Sequence, residues 1–225
     1  MEDERGRPPL GVILAGGLAT RMGGGDKGLV MLDGRPLMQH AMAALHPWAD
    51  RILISANGPA ARFAGLEWMG DAPVLPDTVP DRPGPLAGIL AAMEWAAAHA
   101  PDHADILCVP CDTPFLPADL LPRLAAGRQA AGAAIALAAG PDGAGGWQRH
   151  PTVGLWPVAL RRALRNALVV EGLRKVGAFA ARHGVTLVRF PPGPGGRDPF
   201  LNVNSPGDLT GAVGSASTPA GEAHS

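Results

Sequence analysis

A glycine-rich segment near the start of the chain carries the first residues whose types and spacing could do chemistry. Residues 14–28 contain Arg21 and Lys27 among six glycines. Glycine has no Cβ atom, so successive backbone N–H groups can wrap closely around an anion, and the two cations would balance the charge of phosphates. The spacing differs from a P-loop, in which Ser or Thr follows the lysine, and from Gly-x-Gly-x-x-Gly. We therefore predict a phosphate-binding loop of another type; the alternative is a merely flexible glycine loop.

Asp112 is the second residue of chemical interest. It follows the apolar run 104–109, which we predict to be a central strand. Because α/β sheets bind ligands just beyond the carboxyl ends of their strands, a carboxylate facing a triphosphate there would naturally hold Mg²⁺. The alternative is that Asp112 is a turn or helix N-cap residue before Pro114. Asp77 also follows a short predicted strand, with a turn residue as its alternative interpretation.

These side chains would meet if their strands lie side by side, and the chain predicts such an arrangement. Short apolar runs alternate with stretches of helical spacing, which is typical of an α/β fold with a mostly parallel sheet covered by helices on both faces. We expect a Gly-rich loop at 141–149 and a last strand at 200–203. The predicted strands span 10–15, 51–55, 73–75, 104–109, 133–138 and 185–190; the predicted helices span 36–45, 84–98, 117–126, 158–168 and 173–183.

The composition excludes several classes of partner. The formal net charge is −1 and the pI is near 6.6, so we expect no broad positively charged surface that would bind nucleic acid. The same values give no reason to expect binding to an anionic membrane surface. The apolar runs fall short of the roughly 18 residues of a membrane span, and the acidic N-terminus does not resemble a signal peptide. We expect a cytoplasmic protein with one domain over residues 10–210, a flexible N-terminus at 1–9 and a disordered tail at 211–225.

The two cysteines of the chain, Cys108 and Cys111, form one Cys-x-x-Cys pair. A structural zinc site would need a second pair of ligands, and a redox pair would favour a helix N-terminus. Cys108 instead ends a run that we predict to be a buried strand. We therefore expect a structural role, with a redox or zinc role as the alternative.

Five motifs occur in order along the chain and carry a resemblance to a known family. They are Gly-Asp-Lys-Gly-Leu at 25–29, Pro-Gly-Pro-Leu-Ala-Gly at 83–88, Pro-Cys-Asp-Thr-Pro-Phe at 110–115, His-Pro-Thr at 150–152 and Asn-Val-Asn-Ser-Pro at 202–206. Together they resemble the molybdenum cofactor guanylyltransferase (MobA-type) family over residues 10–209. The glycine loop is shared with nucleotidyltransferases generally, and the later motifs are specific to this branch.

The resemblance implies a Rossmann-like nucleotidyltransferase fold, with GTP and molybdopterin as substrates and Mg²⁺ as cofactor. GMP would be joined to the terminal phosphate of molybdopterin, and pyrophosphate would be released. One departure is that the family's usual asparagine at a strand end is replaced by Ser55, while Asn57 follows two residues later. The implied catalytic residues are Arg21, Lys27 and Asp112, the last also the metal ligand, and the implied GTP-binding residues are Leu14, Ala15, Gly16, Gly17, Lys27, Ser55, Asp77 and Asp112.

The pterin half of the substrate would lie on the second part of the chain, about 126–210, with the nucleotide on 10–125. Asn202 and Asn204 alternate around Val203 and would share one face of an extended segment, away from the nucleotide loop, where their amides could pair with a pterin edge. Arg174 and Lys175 could meet its phosphate. The alternatives are an ordinary Asn turn and a solvated helix face, and His150 is equally interpretable as structural or as a substrate contact.

Other functions fit parts of the same pattern. Within the fold, the alternatives are a molybdopterin cytidylyltransferase and a sugar-phosphate nucleotidyltransferase. Outside enzymes, a nucleotide sensor or a molybdopterin carrier is possible, although the set Arg21, Lys27 and Asp112 favours catalysis. We expect a monomer that makes transient contacts with molybdopterin-supplying proteins and client molybdoenzymes.

Overall fold

The centre of the molecule is a seven-stranded sheet. The computed structural model describes residues 7–16, 26–79, 84–193 and 196–203. The strands are β1 (Leu10–Leu14), β2 (Met31–Leu32), β3 (Arg35–Pro36), β4 (Ile52–Ser55), β5 (Val74–Leu75), β6 (Asp105–Pro110), β7 (Ile135–Pro141), β8 (Trp147–Pro157) and β9 (Val185–Arg189). The helices are α1 (Leu37–Leu45), α2 (Pro85–His99), α3 (Leu120–Ala130), α4 (Arg161–Val169) and α5 (Val176–Arg182).

The strand order explains how the predicted site can form. The sheet runs β5-β4-β1-β6-β8-β7-β9, and only β8 is antiparallel to its neighbours among these seven strands. The carboxyl ends of β5, β4, β1 and β6 therefore lie in a row at one edge, as the α/β prediction requires. None of the helices in the described ranges combines the length and the apolar composition that a membrane-spanning helix needs.

Helices cover both faces of the sheet, which confirms the predicted fold class. Helices α2, α4 and α5 pack on one face and α1 and α3 on the other. Successive β1 residues supply both layers: Leu10 and Val12 face the α2 side, whereas Ile13 and Ala15 face the α1 side. A strand buried on both faces must be apolar at every position, which is why β1 has no alternation of polar residues in its sequence.

Two sequence predictions about local structure were wrong, and one hairpin was missed. The segment 200–203 forms no strand: Phe200 and Val203 are buried in apolar clusters outside the sheet ladder, whereas Asn202 is exposed. The predicted loop at 141–149 is shorter than expected, because residues from Trp147 onward pair with β7. The hairpin β2–β3 was not predicted; Asp33 and Gly34 form its turn with φ of +49° and +75°.

Strand β8 contains an irregularity next to the site. Leu137 of β7 lies opposite Gly154, but the next residue, Ala138, lies opposite His150. Residues 151–153 therefore have no partner on β7, which is a bulge in β8. Bulges of this kind re-aim side chains, and here Thr152 is turned into the cavity described below.

Candidate functional site

A cavity of about 400 Å³ lies at the carboxyl ends of the parallel strands. The strand ends are held together by backbone hydrogen bonds beyond the ladders: Ala15 N donates to Ser55 O at 2.8 Å, and Cys111 N donates to Leu14 O at 3.1 Å. Six of the residues predicted to contact the nucleotide or metal line this cavity, namely Leu14, Gly16, Lys27, Ser55, Asp77 and Asp112.

Three other predicted site residues cannot be placed, and a fourth lies behind the wall. Gly17, Arg21 and Asn204 fall outside the described residues. Ala15 is 2% exposed and packs in the apolar core, where its backbone N–H is already bonded to Ser55. Ala15 can therefore affect a ligand mainly by fixing the direction of the chain that leads into the glycine loop.

Lys27 and Asp112 form an ion pair in the cavity wall. Lys27 Nζ donates to Asp112 Oδ2, and the two side chains are 14% and 11% exposed. Lys27 reaches this place because it begins a single turn of 3₁₀ helix, Lys27–Leu29, in which Gly28 packs against Met38 and Cys111. A Cβ atom on Gly28 would lie 3.3 Å from Met38 Cβ, so glycine allows this close approach. The pair places an ammonium group, which can bind a phosphate, beside a carboxylate at a strand end.

The second carboxylate oxygen of Asp112 fits a metal ion. Asp112 Oδ1 is buried and accepts no hydrogen bond within the described part of the chain. A buried carboxylate oxygen without a donor is costly unless another partner satisfies it. Mg²⁺ is commonly bound by one or two carboxylates together with substrate phosphate oxygens and water. In residues 7–16, 26–79, 84–193 and 196–203, no cluster of three or more His, Cys, Asp or Glu side chains could hold a metal.

Asp77, which also lines the cavity, is fixed by Asn57. Asn57 Nδ2 donates to Asp77 Oδ2 at 2.8 Å, and Asp77 N donates to Asn57 Oδ1 at 2.9 Å. The amide thus holds both the backbone and the carboxylate of Asp77. Strand β4 ends at Ser55, so Asn57 does not continue it, yet Ser55 and Asn57 both line the cavity. The structure therefore assigns the amide at position 57 a defined contact that the sequence left open.

The beginning of α2, which carries most of the Pro-Gly-Pro-Leu-Ala-Gly motif, forms a further wall of the cavity. Gly84 has φ of +88°, a conformation that favours glycine, and Pro85 is the first residue of the helix. Gly88 faces the end of β4: a Cβ atom there would overlap with Ser55 Oγ and approach Leu14 Cδ2 to 3.1 Å. The glycine lets α2 lie directly against the strand ends, so the first turn of α2 lines the cavity.

His150 pairs with an acid rather than lining the cavity. Its Nε2 atom lies 3.1 Å from Asp198 Oδ2, and its ring contacts Phe200 with centroids 5.0 Å apart. Burial lowers the pKa of His150, and the neighbouring Asp198 carboxylate opposes that shift. The contacts favour the structural interpretation of His150, while Thr152 of the same motif lines the cavity.

Asn202 lies beside the Asp112 turn. Thr113 Oγ1 donates to Asn202 Oδ1 at 2.9 Å, and Val203 N donates to Asp112 O at 2.9 Å. This segment was expected to lie away from the nucleotide loop; the structure places it against the turn that carries Asp112, and residues 17–25 of the loop lie outside the described residues. The reason is that 200–203 leaves the sheet and packs against the loop after β6, which sequence spacing does not reveal.

Arg174 and Lys175 are not brought to the cavity. Both are exposed in the segment that precedes α5, and Arg174 Nη1 donates to Leu168 O at 3.4 Å. This placement agrees with the alternative of a solvated helix end.

Both cysteines are buried, as expected from the sequence. Cys108 lies inside β6, and burial raises the pKa of its thiol far above the usual range. Cys111 is 3% exposed; burial, followed by the charge of Asp112, raises the pKa of its thiol to about 12. Neither forms a disulfide. Thiols with such raised pKa values are poor nucleophiles and poor metal ligands near neutral pH.

Comparisons with known proteins agree with this site. Residues 11–185 match the family of MobA-like NTP transferase domains. A protein named molybdenum cofactor guanylyltransferase from Bradyrhizobium sp. (strain ORS 278) is 47% identical over 202 residues, covering 90% of each chain. One with the same name from Burkholderia ambifaria (strain MC40-6) is 47% identical over 197 residues, covering 87% of this chain and 90% of its own.

Solved structures show the same fold at lower identity. Molybdopterin-guanine dinucleotide biosynthesis protein A from Archaeoglobus fulgidus superposes with a TM-score of 0.65 at 21% identity, covering 90% of this chain and 96% of its own. Rv0371c from Mycobacterium tuberculosis H37Rv superposes with a TM-score of 0.67 at 20% identity, covering 93% of this chain and all of its own. With the match over 11–185 and relatives above 40% identity, the chain belongs to the molybdenum cofactor guanylyltransferases, within the MobA-like NTP transferases.

Proposed function

We propose that this protein transfers GMP from GTP to the terminal phosphate of molybdopterin and releases pyrophosphate. The observation that carries the proposal is the Lys27–Asp112 pair in the cavity at the strand ends. The pair provides a cation for phosphates and a carboxylate with one buried oxygen to spare, which is what a nucleoside triphosphate with a divalent cation requires.

The reaction needs positioning more than proton transfer. The attacking group is a phosphate monoester, whose second pKa of about 6 leaves it largely ionised near neutral pH. The chain must hold that phosphate in line with the α-phosphorus of GTP and balance the charge of the leaving pyrophosphate. Lys27 and the positive end of the α2 dipole can balance charge in the cavity, and Arg21 of the glycine loop is the second predicted cation. No general base is required.

Asp112 would hold Mg²⁺ through its carboxylate. When bound, the ion supplies positive charge to the phosphate oxygens as charge develops on the leaving group. Lys27 and Asp112 neutralise each other in the structure. When GTP and Mg²⁺ bind, Lys27 would exchange the Asp112 carboxylate for a phosphate, and Asp112 would exchange the Lys27 ammonium for the metal ion. Each side chain would keep a partner of opposite charge, so the charge balance of the site is kept.

The carboxylate of Asp77 favours guanine as the base of the bound nucleotide. A carboxylate can only accept hydrogen bonds, and guanine presents two adjacent N–H donors, N1 and N2, on its pairing edge. Cytosine and adenine present one donor beside an acceptor nitrogen, which a carboxylate repels. Asn57 holds Asp77 in a fixed orientation through two hydrogen bonds. We therefore place the guanine end of GTP near Asp77 and the triphosphate near Lys27.

Fewer contacts support the proposed binding site of molybdopterin, the acceptor of GMP. We place the pterin near Asn202, because Thr113 and the backbone of Val203 tie this segment to the Asp112 turn. Asn204 completes that proposal from the sequence. Arg174 and Lys175 stay candidates for binding the molybdopterin phosphate, and their positive charge is the one argument for this role. The monomeric state, the cytoplasmic location and the division near residue 125 stay predictions from the sequence.

Two measurements test the proposed function. Calorimetric titration of GTP, CTP and ATP in the presence of Mg²⁺ should give the tightest binding for GTP. A pyrophosphate-release assay should show turnover only when GTP, Mg²⁺ and molybdopterin are all present. Tighter binding of CTP would assign the protein to cytidylyl transfer, and GTP binding without pyrophosphate release would support a sensor or carrier instead.

A further inference from the structure

Arg62 contacts two segments that border the nucleotide cavity, and no motif of the sequence pointed to it. It belongs to a short 3₁₀ helix, Ala60–Phe63, that follows β4. Its guanidinium pairs through Nε with the carboxylate of Asp26, and its Nη1 donates to the backbone oxygen of Asn57. The Arg62 and Asp26 side chains are 26% and 10% exposed, so the pair is largely shielded from water.

Each partner of Arg62 is directly linked to a cavity residue. Asp26 immediately precedes Lys27, whose ammonium pairs with Asp112. Asn57 lines the cavity itself and holds Asp77 by two hydrogen bonds. Through Asp26, the covalent neighbour of Lys27, and through Asn57, Arg62 therefore connects the Lys27–Asp112 pair with the Asn57–Asp77 pair.

The local structure is built to receive this guanidinium. Gly58 has φ of +89°, and a Cβ atom there would lie only 2.7 Å from Arg62 Nη1. On another side, the guanidinium carbon lies 4.6 Å from the centroid of the Phe63 ring. Burial raises the pKa of Asp26, and the charge of Arg62 counters that shift, so the arginine favours the ionised carboxylate.

We propose that Arg62 is a positioning residue that fixes the phosphate end of the cavity relative to its base end. It touches no substrate; it acts through Asp26 on Lys27 and through Asn57 on Asp77. The inference rests on the proposed nucleotide site, but it predicts a behaviour that the transfer reaction alone does not require. Loss of Arg62 should weaken nucleotide binding and turnover by more than its effect on stability accounts for.

The test is Arg62→Met, with Arg128→Met as its matched control. Methionine keeps an unbranched apolar side chain beside Phe63 and removes the guanidinium. Arg128 is 24% exposed and forms a two-bond pair with Asp105, at 2.7 and 2.6 Å, away from the cavity lining. We expect R62M to lower kcat/KM for GTP roughly 10- to 100-fold, as for residues that orient a ligand-binding group, and to lower Tm about as R128M does, because each variant leaves a shielded carboxylate without its cation. R128M should lower Tm and leave kcat/KM unchanged.

A double-mutant cycle with Asp26→Asn separates positioning from a general loss of charge. If Arg62 acts through Asp26, the combined variant should lose much less than the product of the two single losses. Arg62→Lys should recover part of the loss, because lysine can reach one of the two partners but not both. The inference is overturned if R62M binds and turns over GTP like the wild type, if the two losses multiply, or if R128M, at a similar loss of Tm, lowers kcat/KM as much as R62M does.

The outcome is independent of which nucleotide the protein prefers. The R62M effect is measured relative to the wild type with whichever nucleoside triphosphate the wild type binds most tightly. A wild type that prefers CTP would contradict the proposed guanylyl transfer and still allow the Arg62 comparison. Normal GTP transfer by both the wild type and R62M would contradict the Arg62 inference alone.

Discussion

The role of Asp112 gives the sharpest test of the site, through the Asp112→Asn variant. The asparagine side chain has nearly the same shape, so the change removes one negative charge and leaves the packing of an 8% exposed residue intact. At an effective dielectric constant of about 20, two unit charges about 4 Å apart interact by about 4 kcal/mol. Removing a single preorganised electrostatic group commonly lowers enzyme rates about 100- to 1,000-fold. We expect a loss of at least this size in the rate of pyrophosphate release.

The metal dependence of GTP binding distinguishes a lost ligand from general damage. With Mg²⁺, D112N should bind GTP more weakly than the wild type. Without Mg²⁺, it should bind GTP as well as the wild type or better, because a carboxylate that repels the triphosphate is gone. Asp105→Asn is the matched control, since it also removes a carboxylate paired with a cation, here Arg128, outside the cavity lining. Near-normal turnover by D112N, with full stimulation by Mg²⁺, would refute the assignment.

Three further variants test other parts of the structure. Lys27→Ala removes a charged hydrogen-bond donor and should weaken GTP binding or transfer about 10- to 150-fold, which corresponds to about 1.5–3 kcal/mol; unchanged binding and rate would contradict its phosphate role. Gly88→Ala forces α2 away from Ser55, so chemical denaturation should show a loss of about 1–3 kcal/mol, and GTP affinity should fall with it; a variant as stable as the wild type would show that α2 tolerates the added methyl. His150→Gln should flatten the pH dependence of Tm. The folded protein lowers the pKa of His150, so unfolding takes up a proton at acidic pH. The contribution of His150 to stability is therefore complete above about pH 6.5, the ordinary pKa of histidine, and decreases as the pH falls below it. An unchanged pH profile would mean that the His150–Asp198 contact does not control acid stability.

The sequence predicted the part of the site that depends on strand ends. Lys27 and Asp112 are 85 positions apart, yet both were expected near one edge because parallel strands finish on the same side of a sheet. The pairing of β1 with β6 brings the two segments together, with Leu14 opposite Pro110. Strong apolar runs and glycine breaks are visible in a sequence, so the enzyme class and fold were predictable from them and from the ordered motifs.

Burial and strand structure are separate properties, and this difference explains the incorrect predictions. Phe200 and Val203 are 1% and 0% exposed, as an apolar run indicates, but they pack beside the Asp112 turn instead of joining the sheet. Conversely, Gln148 and Arg149 are exposed and polar, yet they belong to β8 because β7 extends far enough to pair with them. In both cases, pairing with residues distant in sequence determines whether the segment forms a strand. Local hydrophobicity does not reveal these pairings.

The same reasoning explains why Arg62 was invisible in the sequence. The chain is rich in arginine, and nothing in the short run around position 62 separates this one from solvated neighbours. Its importance arises from a 3₁₀ turn and from the positive φ of Gly58, which together aim the guanidinium at Asp26 and at the carbonyl of Asn57. A side chain that orients other side chains needs no recognisable motif, only the correct position in space. Residues that contact substrate follow the chemistry of the ligand and can be predicted from their type, whereas residues that connect them follow the local path of the chain and emerge only with the fold.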